Sequence, residues 1–224
     1  MSLQDLIQRA DVWRGGAAPP VNGVPTGFAE LDALLGGAGW PQQALTEILA
    51  PRTGNRGLGL LLPALAGLSR GDRWIVFVAP PYIPYAPALV RAGVNLSRML
   101  WVHATHGVDE LWAAEQSLRA GTCAAVLVWP ASANTTQLRR LQLAAETGNA
   151  WGVLFHPESS AVENSPAALR LKLEPVAEGL RVQIVKRRGG WPTGPILLAS
   201  SHAVAMRSFA ESRPRCVRPR RSRG

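Results

Sequence analysis

The sequence predicts an α/β domain in which a mostly parallel sheet is flanked by helices and ends in an antiparallel hairpin. Near-continuous apolar runs of strand length, such as Arg73–Ala79, are typical of parallel strands covered on both faces. Between these runs, apolar residues recur at helical spacing, as in Gly57–Ser69. Towards the end of the chain, apolar and polar residues alternate, which indicates antiparallel edge strands.

The elements follow one another in an alternating order. Five buried strands are predicted, at Ala44–Leu49, Arg73–Ala79, Met99–His103, Ala124–Trp129 and Ala150–Phe155. Four helices separate them, at Gly57–Ser69, Tyr85–Ala92, Val108–Ala120 and Asn134–Thr147. In the last helix, Asn134 and Gln137 have the spacing of a capping box. The hairpin region comprises Ala168–Glu174, Leu180–Arg187 and Pro195–Ala199.

The chain has 224 residues, 47% of them hydrophobic, which suits one well-buried domain. We expect an amphipathic helix and linker over 1–19, a core domain over 20–200, and a helix with a basic disordered tail over 201–224. The N-terminal helix, Ser2–Trp13, either packs back on the domain or binds a neighbouring molecule. No apolar run approaches the roughly 20 residues that cross a bilayer, so a cytoplasmic location is expected and no membrane contact.

Metal binding and disulfide formation are not expected. Cys123 and Cys216 lie far apart in the sequence, and Cys123 opens an apolar strand. The histidines form no pair at metal-ligand spacing. Cys123 is therefore interpreted as a core residue and Cys216 as a free thiol.

A degenerate phosphate-binding loop follows the first strand. The pattern G-x-x-x-x-G-K-[ST] places a lysine on the terminal phosphates and a hydroxyl on magnesium. The matching run here is Ala50, Pro51, Arg52, Thr53, Gly54, Asn55, Arg56 and Gly57. Both glycines and the lysine are replaced, and Gly57 has no hydroxyl, so no cofactor is expected.

Three segments, PTGFAELDALLGG, ALTEILAP and LRVQIVKRRGGWPTGPILLA, resemble the core of RecA-like recombinases. Within that group they are most similar to the ImuA family, whose relatives include SulA-type inhibitors of cell division. The resemblance covers about residues 20–200 and implies a RecA-like P-loop-type core.

The resemblance also shows which catalytic parts are missing. Working members carry a glutamate after the second strand and an aspartate after the fourth, where this chain has Pro80–Pro81 and Trp129. Together with the altered loop, these replacements leave neither a magnesium ligand nor a general base, so the protein is not expected to be an enzyme. An ATPase with an unorthodox loop, in which Arg56 replaces the lysine, stays open as an alternative.

The net charge of +9 is concentrated near the end of the chain. Candidate DNA-binding or partner-binding residues are Lys186, Arg187, Arg188, Trp191, Arg213, Arg215, Arg218, Arg220, Arg221 and Arg223. The tail arginines indicate either a polyanionic or acidic partner or a solvated tail. Arg139 and Arg140 are either nucleic-acid contacts or solvated side chains. The loop 156–166 carries Glu158 and Glu163, which disfavours DNA, so it is expected to be flexible or to bind a protein.

The resemblance to ImuA implies a non-catalytic accessory protein of SOS-induced, error-prone translesion DNA synthesis. Its implied partners are an inactive Y-family polymerase-like protein of the ImuB type, RecA and single-stranded DNA. The alternative from the same resemblance is a SulA-like SOS inhibitor that caps the polymer of the tubulin-like division protein.

Overall fold

The computed structural model describes residues 23–50, 56–104, 107–190 and 192–199. The strands are β1 Gly23–Val24, β2 Trp40–Pro41, β3 Leu45–Leu49, β4 Trp74–Val78, β5 Met99–Val102, β6 Cys123–Val128, β7 Trp151–His156, β8 Leu169–Val176, β9 Gly179–Arg187 and β10 Ile196–Ala199. The α-helices are α1 Ala29–Leu34, α2 Arg56–Leu68, α3 Ala86–Arg91, α4 Gly107–Arg119 and α5 Thr135–Thr147. Short 3₁₀ turns lie at Leu96–Arg98 and Glu158–Ser160.

Most of the strands form one eight-stranded mixed sheet with the order β10-β9-β8-β3-β7-β6-β4-β5. The neighbouring strands from β8 to β5 pair in parallel, whereas β9 pairs antiparallel with both β8 and β10. A separate two-stranded antiparallel sheet joins β1 to β2. Because the parallel strands share one direction, the loops after β4, β6 and β7 leave the sheet at the same edge, called here the carboxyl edge.

The predicted RecA-like P-loop-type core is wrong. The large sheet is mixed, and a second small antiparallel sheet of β1 and β2, which the sequence did not predict, stands beside it. Near its start, α2 packs closely against apolar side chains of the large sheet. A Cβ on Gly57 would lie 2.9 Å from Cε1 of Phe155 and 3.4 Å from Cδ1 of Leu173. Gly57 therefore packs directly against apolar side chains of β7 and β8.

Each face of the large sheet covers its own hydrophobic core. Helices α1, α2 and α3 pack on one face, with Leu31, Leu61 and Phe77 among the fully buried side chains. Helices α4 and α5 pack on the other face through Leu118 and Leu138. The capping box predicted at the start of α5 is confirmed, because Asn134 and Gln137 exchange side-chain-to-backbone hydrogen bonds of 2.9 Å. Within the described residues, no helix has the length and apolarity to span a membrane.

At the opposite edge of the sheet, the guanidinium group of Arg73 joins three chain segments. Its Nη2 donates to the carbonyl oxygens of Cys123, Gly148 (2.9 Å) and Asn149 (2.6 Å). These carbonyls belong to the start of β6 and to the turn after α5. One side chain therefore holds β4, β6 and the α5–β7 turn together.

Replacing Arg73 with alanine is expected to lower the free energy of unfolding by about 2–3 kcal/mol, because hydrogen bonds from a charged donor to partly buried carbonyls are lost. Lysine has no planar fork and should restore only part of this loss. The measurement is urea-induced unfolding of the full chain followed by circular dichroism. Arg91→Ala, at an exposed helix position, is the control and should change stability by no more than about 0.5 kcal/mol. Equal effects of the two alanine variants would contradict the proposed role.

Candidate partner-binding surface

A row of stacked aromatic side chains crosses four strands near the carboxyl edge. Phe77 of β4 stacks on Trp101 of β5, with ring centroids 5.6 Å apart, and on Trp129, at 5.7 Å. Trp129 in turn stacks on Phe155 of β7 at 4.8 Å, with an interplanar angle of 2°. Phe77 and Phe155 are buried, whereas Trp101 and Trp129 are half-buried and reach the surface. The row gives this edge a rigid, apolar floor.

Exposed apolar side chains follow β4 at the same edge. Tyr82, Ile83 and Tyr85 have 37%, 80% and 47% of their surface exposed. The loop that carries them is fixed at both ends: Ala79 donates its N–H to the carbonyl of Val102 (2.9 Å), and the carbonyl of Tyr85 accepts from α3. Large apolar groups held out to water by an anchored loop are typical of a protein-binding surface. We call Tyr82, Ile83, Tyr85, Trp101 and Trp129 the carboxyl-edge surface.

A buried ionic cluster lies between β3, β7 and β8. The carboxylate of Glu47 is fully buried and accepts from Nε2 of His156 (3.1 Å) and from Nε of Arg170 (2.9 Å). Glu47 and Arg170 are direct neighbours in the register of β3 and β8. Burial alone would raise the pKa of Glu47, but the hydrogen bonds from His156 and Ser165 and the charge of Arg170 hold that pKa below its ordinary value.

The same cluster anchors the loop after β7, which the sequence predicts to be flexible or partner-binding. Arg170 donates through Nη2 to the carbonyl of Val162 (2.5 Å) and through Nη1 to that of Glu163 (3.4 Å). Lys186 donates to the carbonyl of Ser165. Two cations from the neighbouring strands therefore fix the path of this loop, which serves as part of the scaffold.

The three basic residues predicted in β9 and the following turn all have intramolecular partners. Lys186 contacts the anchored loop, and its pKa is lowered by burial and by the charges of Arg170 and Arg188. Arg187 donates from Nη1 to the carbonyl of Leu34, 2.6 Å away at the end of α1. Arg188 pairs with Glu146 of α5 at 3.3 Å. These contacts join β9 to the rest of the domain, and a role of the three residues in partner binding stays a prediction.

Several predicted sites lie outside the described residues. These are the N-terminal helix, Trp191, the loop residues Pro51, Arg52, Thr53, Gly54 and Asn55, and the tail arginines Arg213, Arg215, Arg218, Arg220, Arg221 and Arg223. In the part of the chain that the structure describes, no group of three or more His, Cys, Asp or Glu residues is arranged to hold a metal ion.

The sequence gives little sign of the carboxyl-edge surface. The run PPYIPY is readable as a turn, and its prolines exclude helix and central strand, which places the apolar side chains between them in a loop. The available signal for this surface was the presence of large apolar residues in a short loop, because a short loop is too small to bury them. Trp129 was visible only as the replacement of a catalytic carboxylate.

Comparison with known proteins points to inhibitors of cell division. The family model "Cell division inhibitor SulA" matches residues 52–152. SulA of Pectobacterium carotovorum is 32% identical over 102 residues, which are 45% of this chain and 61% of that protein. SulA of Photorhabdus laumondii is 29% identical over 114 residues, 51% of this chain and 64% of that protein. This chain thus spans slightly less than two thirds of these curated relatives.

The chain is also similar to a solved structure, that of SulA from Pseudomonas aeruginosa. The two share 29% sequence identity, and the match covers 50% of this chain and 97% of the solved one, with a TM-score of 0.43.

These findings correct the assignment made from the sequence. The matching family is SulA, so the interpretation as an ImuA-type, RecA-like protein is wrong. The function in translesion synthesis is wrong for the same reason, as are the partners that came with it: an ImuB-type polymerase-like protein, RecA and single-stranded DNA. All three segments that suggested ImuA lie outside residues 52–152, where the SulA match lies.

Proposed function

We propose that this chain is an SOS-induced inhibitor of cell division that binds the tubulin-like division protein FtsZ and caps its polymer. The observation that carries the proposal is the position of the SulA match. Residues 52–152 include Tyr82, Ile83, Tyr85, Trp101 and Trp129, which are all five members of the carboxyl-edge surface. The part of the chain that resembles named division inhibitors is therefore the part that carries the proposed partner-binding surface.

The chemistry of this edge supports action by binding and not by catalysis. The ends of β4 and β6 carry prolines and Trp129, so neither strand end offers a carboxylate for a reaction at this edge. Trp129 is locked between Phe77 and Phe155 by stacking. A preformed apolar surface of this kind loses little conformational entropy on binding. A non-enzymatic role in the cytoplasm, where the division polymer assembles, is part of the proposal.

Capping is the mechanism that we propose for this surface. A subunit that covers one end of a polymer with a rigid apolar patch, and offers no second copy of the polymer's own interface, prevents addition of the next subunit. Ile83 is the most exposed residue of the carboxyl-edge surface and is expected to act as an anchor in the partner's interface.

The test is GTP-dependent assembly of purified FtsZ, followed by light scattering and pelleting, with increasing amounts of the full chain. We expect the wild-type chain to reduce assembly, and Ile83→Asp to require at least about tenfold more protein for the same effect, because it puts a charge into an apolar contact. The matched control is Leu197→Asp, which alters a half-exposed leucine on β10 at the far end of the sheet.

The outcomes separate the two parts of the proposal. No effect of the wild-type chain on assembly would contradict the function itself. Inhibition that Ile83→Asp and Leu197→Asp retain equally would leave the function standing and exclude the carboxyl-edge surface as its site.

A further inference from the structure

The backbone has an unusual conformation at the point where β4 ends. Ala79, the residue directly after β4, has a φ of 46°. This is the left-handed region, in which the Cβ atom crowds the backbone, and residues other than glycine enter it rarely. Pro80 follows, and a residue before proline ordinarily adopts extended backbone with a negative φ. The local sequence therefore disfavours this conformation, and the surrounding structure must hold it in place.

Contacts of Ala79 with two parts of the fold hold the turn. Its N–H donates to the carbonyl of Val102 in β5, with the nitrogen and oxygen 2.9 Å apart. Its methyl group is half-buried and packs against the core that lies under α4 and α5. The left-handed turn is thus a fixed feature of the folded domain.

The segment between this turn and α3 has little freedom of its own. It is the run Pro80–Tyr85, in which positions 80, 81 and 84 are prolines and have their φ angles fixed by the ring. Pro84 is buried, whereas Tyr82, Ile83 and Tyr85 are exposed. Because few backbone rotations separate Ala79 from Ile83, the direction that the chain takes at Ala79 determines where Ile83 is presented.

The residue type at this turn indicates a functional reason for the strain. Within the described residues, the other non-glycine residues with a positive φ are Gln43, at 55°, and Asn149, at 51°. Asparagine adopts this region more readily than other residues, and Gln43 lies in the short turn between β2 and β3. Neither lies beside exposed apolar groups. Strained backbone is concentrated at binding and catalytic sites, where it fixes a geometry that the function needs.

We propose that Ala79 is a positioning residue of the carboxyl-edge surface, and that its left-handed turn directs Ile83 and the neighbouring tyrosines away from the sheet and towards the partner. Ala79 acts through Ile83, so its role rests on the proposed function and concerns the same partner. Binding then depends on one backbone angle in addition to the exposed side chains. A rigid turn of this kind lowers the entropy that the loop loses when it binds.

Two substitutions of Ala79 in the full chain test this role in the FtsZ assembly assay. Ala79→Gly keeps the turn, because glycine adopts a positive φ without steric cost, and it should inhibit assembly like the wild-type chain. Ala79→Val does not keep it, because a β-branched residue is a severe outlier at this φ. We expect Ala79→Val to require at least about tenfold more protein for the same inhibition, since the anchor Ile83 is displaced.

The matched controls are Gln43→Gly and Gln43→Val. They make the same two changes at a positive φ in an exposed turn that precedes β3 and so lies away from the carboxyl edge. Both should inhibit assembly like the wild-type chain. Circular dichroism and urea unfolding check that every variant is folded.

Amide hydrogen exchange, measured by NMR without FtsZ, locates the change. The amide of residue 79 is hydrogen-bonded to Val102 and should be protected in the wild-type chain and in Ala79→Gly. In Ala79→Val it should exchange at least about tenfold faster, whereas the amide of Phe77 inside β4 should not change.

The results separate this role from the proposed function. No inhibition by the wild-type chain would contradict the proposed function. Inhibition by the wild-type chain that Ala79→Val retains would overturn the role of Ala79 alone. The same holds if Gln43→Val loses as much inhibition as Ala79→Val, if residue 79 keeps its amide protection in Ala79→Val, or if Ala79→Val does not fold, since the turn would then serve the fold and not the presentation of Ile83.

Discussion

Replacing Glu47 with glutamine is expected to lower the free energy of unfolding by about 3–5 kcal/mol, because it removes the only carboxylate of a buried cluster and leaves Arg170 inside the protein without a counter-ion. The side chain of Arg170 is 7% exposed and that of Glu47 is inaccessible to solvent. The loss extends beyond the pair, since the same arginine holds the carbonyls of Val162 and Glu163. Glutamine keeps the size of the side chain, so the effect reports charge and not volume.

The measurement is urea unfolding at pH 7, with Glu174→Gln as the matched control. Glu174 pairs with Arg181 at 2.8 Å in the same hairpin, but both side chains are about half exposed. Exposed pairs of this kind contribute only about 0–1 kcal/mol. If the two glutamine variants lose the same stability, the buried cluster does not have the role assigned to it.

The contribution of Glu47 also has a defined pH dependence. Its pKa is lowered in the folded state, so the unfolded chain takes up a proton first as the pH falls. The stabilisation is therefore fully present above the unfolded pKa of about 4.3 and is lost as the pH falls through the folded-state pKa. The difference between the wild-type chain and Glu47→Gln should stay constant from neutral pH to about pH 5 and shrink in more acidic solution.

The sequence predicts local structure well where local physics decides it. The apolar runs at Trp74–Val78 and Cys123–Val128 are strands, and the capping box at Asn134 starts α5. In these segments, side-chain periodicity and short-range hydrogen bonds fix the outcome. Neither depends on residues distant in the chain.

Partners at long range could not be predicted in this way. Glu47 lies within the apolar run ALTEIL, and its partners are 109 and 123 residues away in the sequence. Arg187 belongs to the run Lys186–Arg188, which has the composition of an exposed basic cluster. Its guanidinium group nevertheless donates to a carbonyl 153 residues away. A basic run has the same sequence signature whether its charges face solvent or other parts of the fold.

The family assignment failed for a related reason. The segments that suggested ImuA are a short helix with a glycine-rich turn, a buried strand, and a strand followed by a glycine-containing turn. Such elements record fold architecture more than function. The surface proposed to bind the partner depends on single exposed residues such as Ile83. Exposure of one apolar residue depends on which neighbours fail to cover it, and that information is distributed over the whole chain.

Trp151→Ala is expected to lower the free energy of unfolding by about 3–5 kcal/mol, the range for removal of a buried tryptophan. Trp151 is 1% exposed, stacks on Trp40 with ring centroids 5.3 Å apart, and donates from Nε1 to the hydroxyl of Thr46 at 3.0 Å. Removal leaves a cavity beside Trp40, which joins the small β1/β2 sheet to the main core. Loss of this contact should also expose residues near Trp40 to early amide hydrogen exchange.

The control is the same substitution at an exposed position. Trp112→Ala removes an equally large side chain from the surface and should change stability by about 0.5 kcal/mol or less. Trp151→Phe separates the stacking from the hydrogen bond. Phenylalanine keeps most of the stacking on Trp40 but cannot donate to Thr46, which should cost about 1 kcal/mol. Its smaller ring adds a further loss of packing. Urea unfolding of the three variants measures the free energy of unfolding that each one loses. A loss for Trp151→Ala no greater than that for Trp112→Ala would show that the Trp40–Trp151 contact does not couple the small sheet to the core.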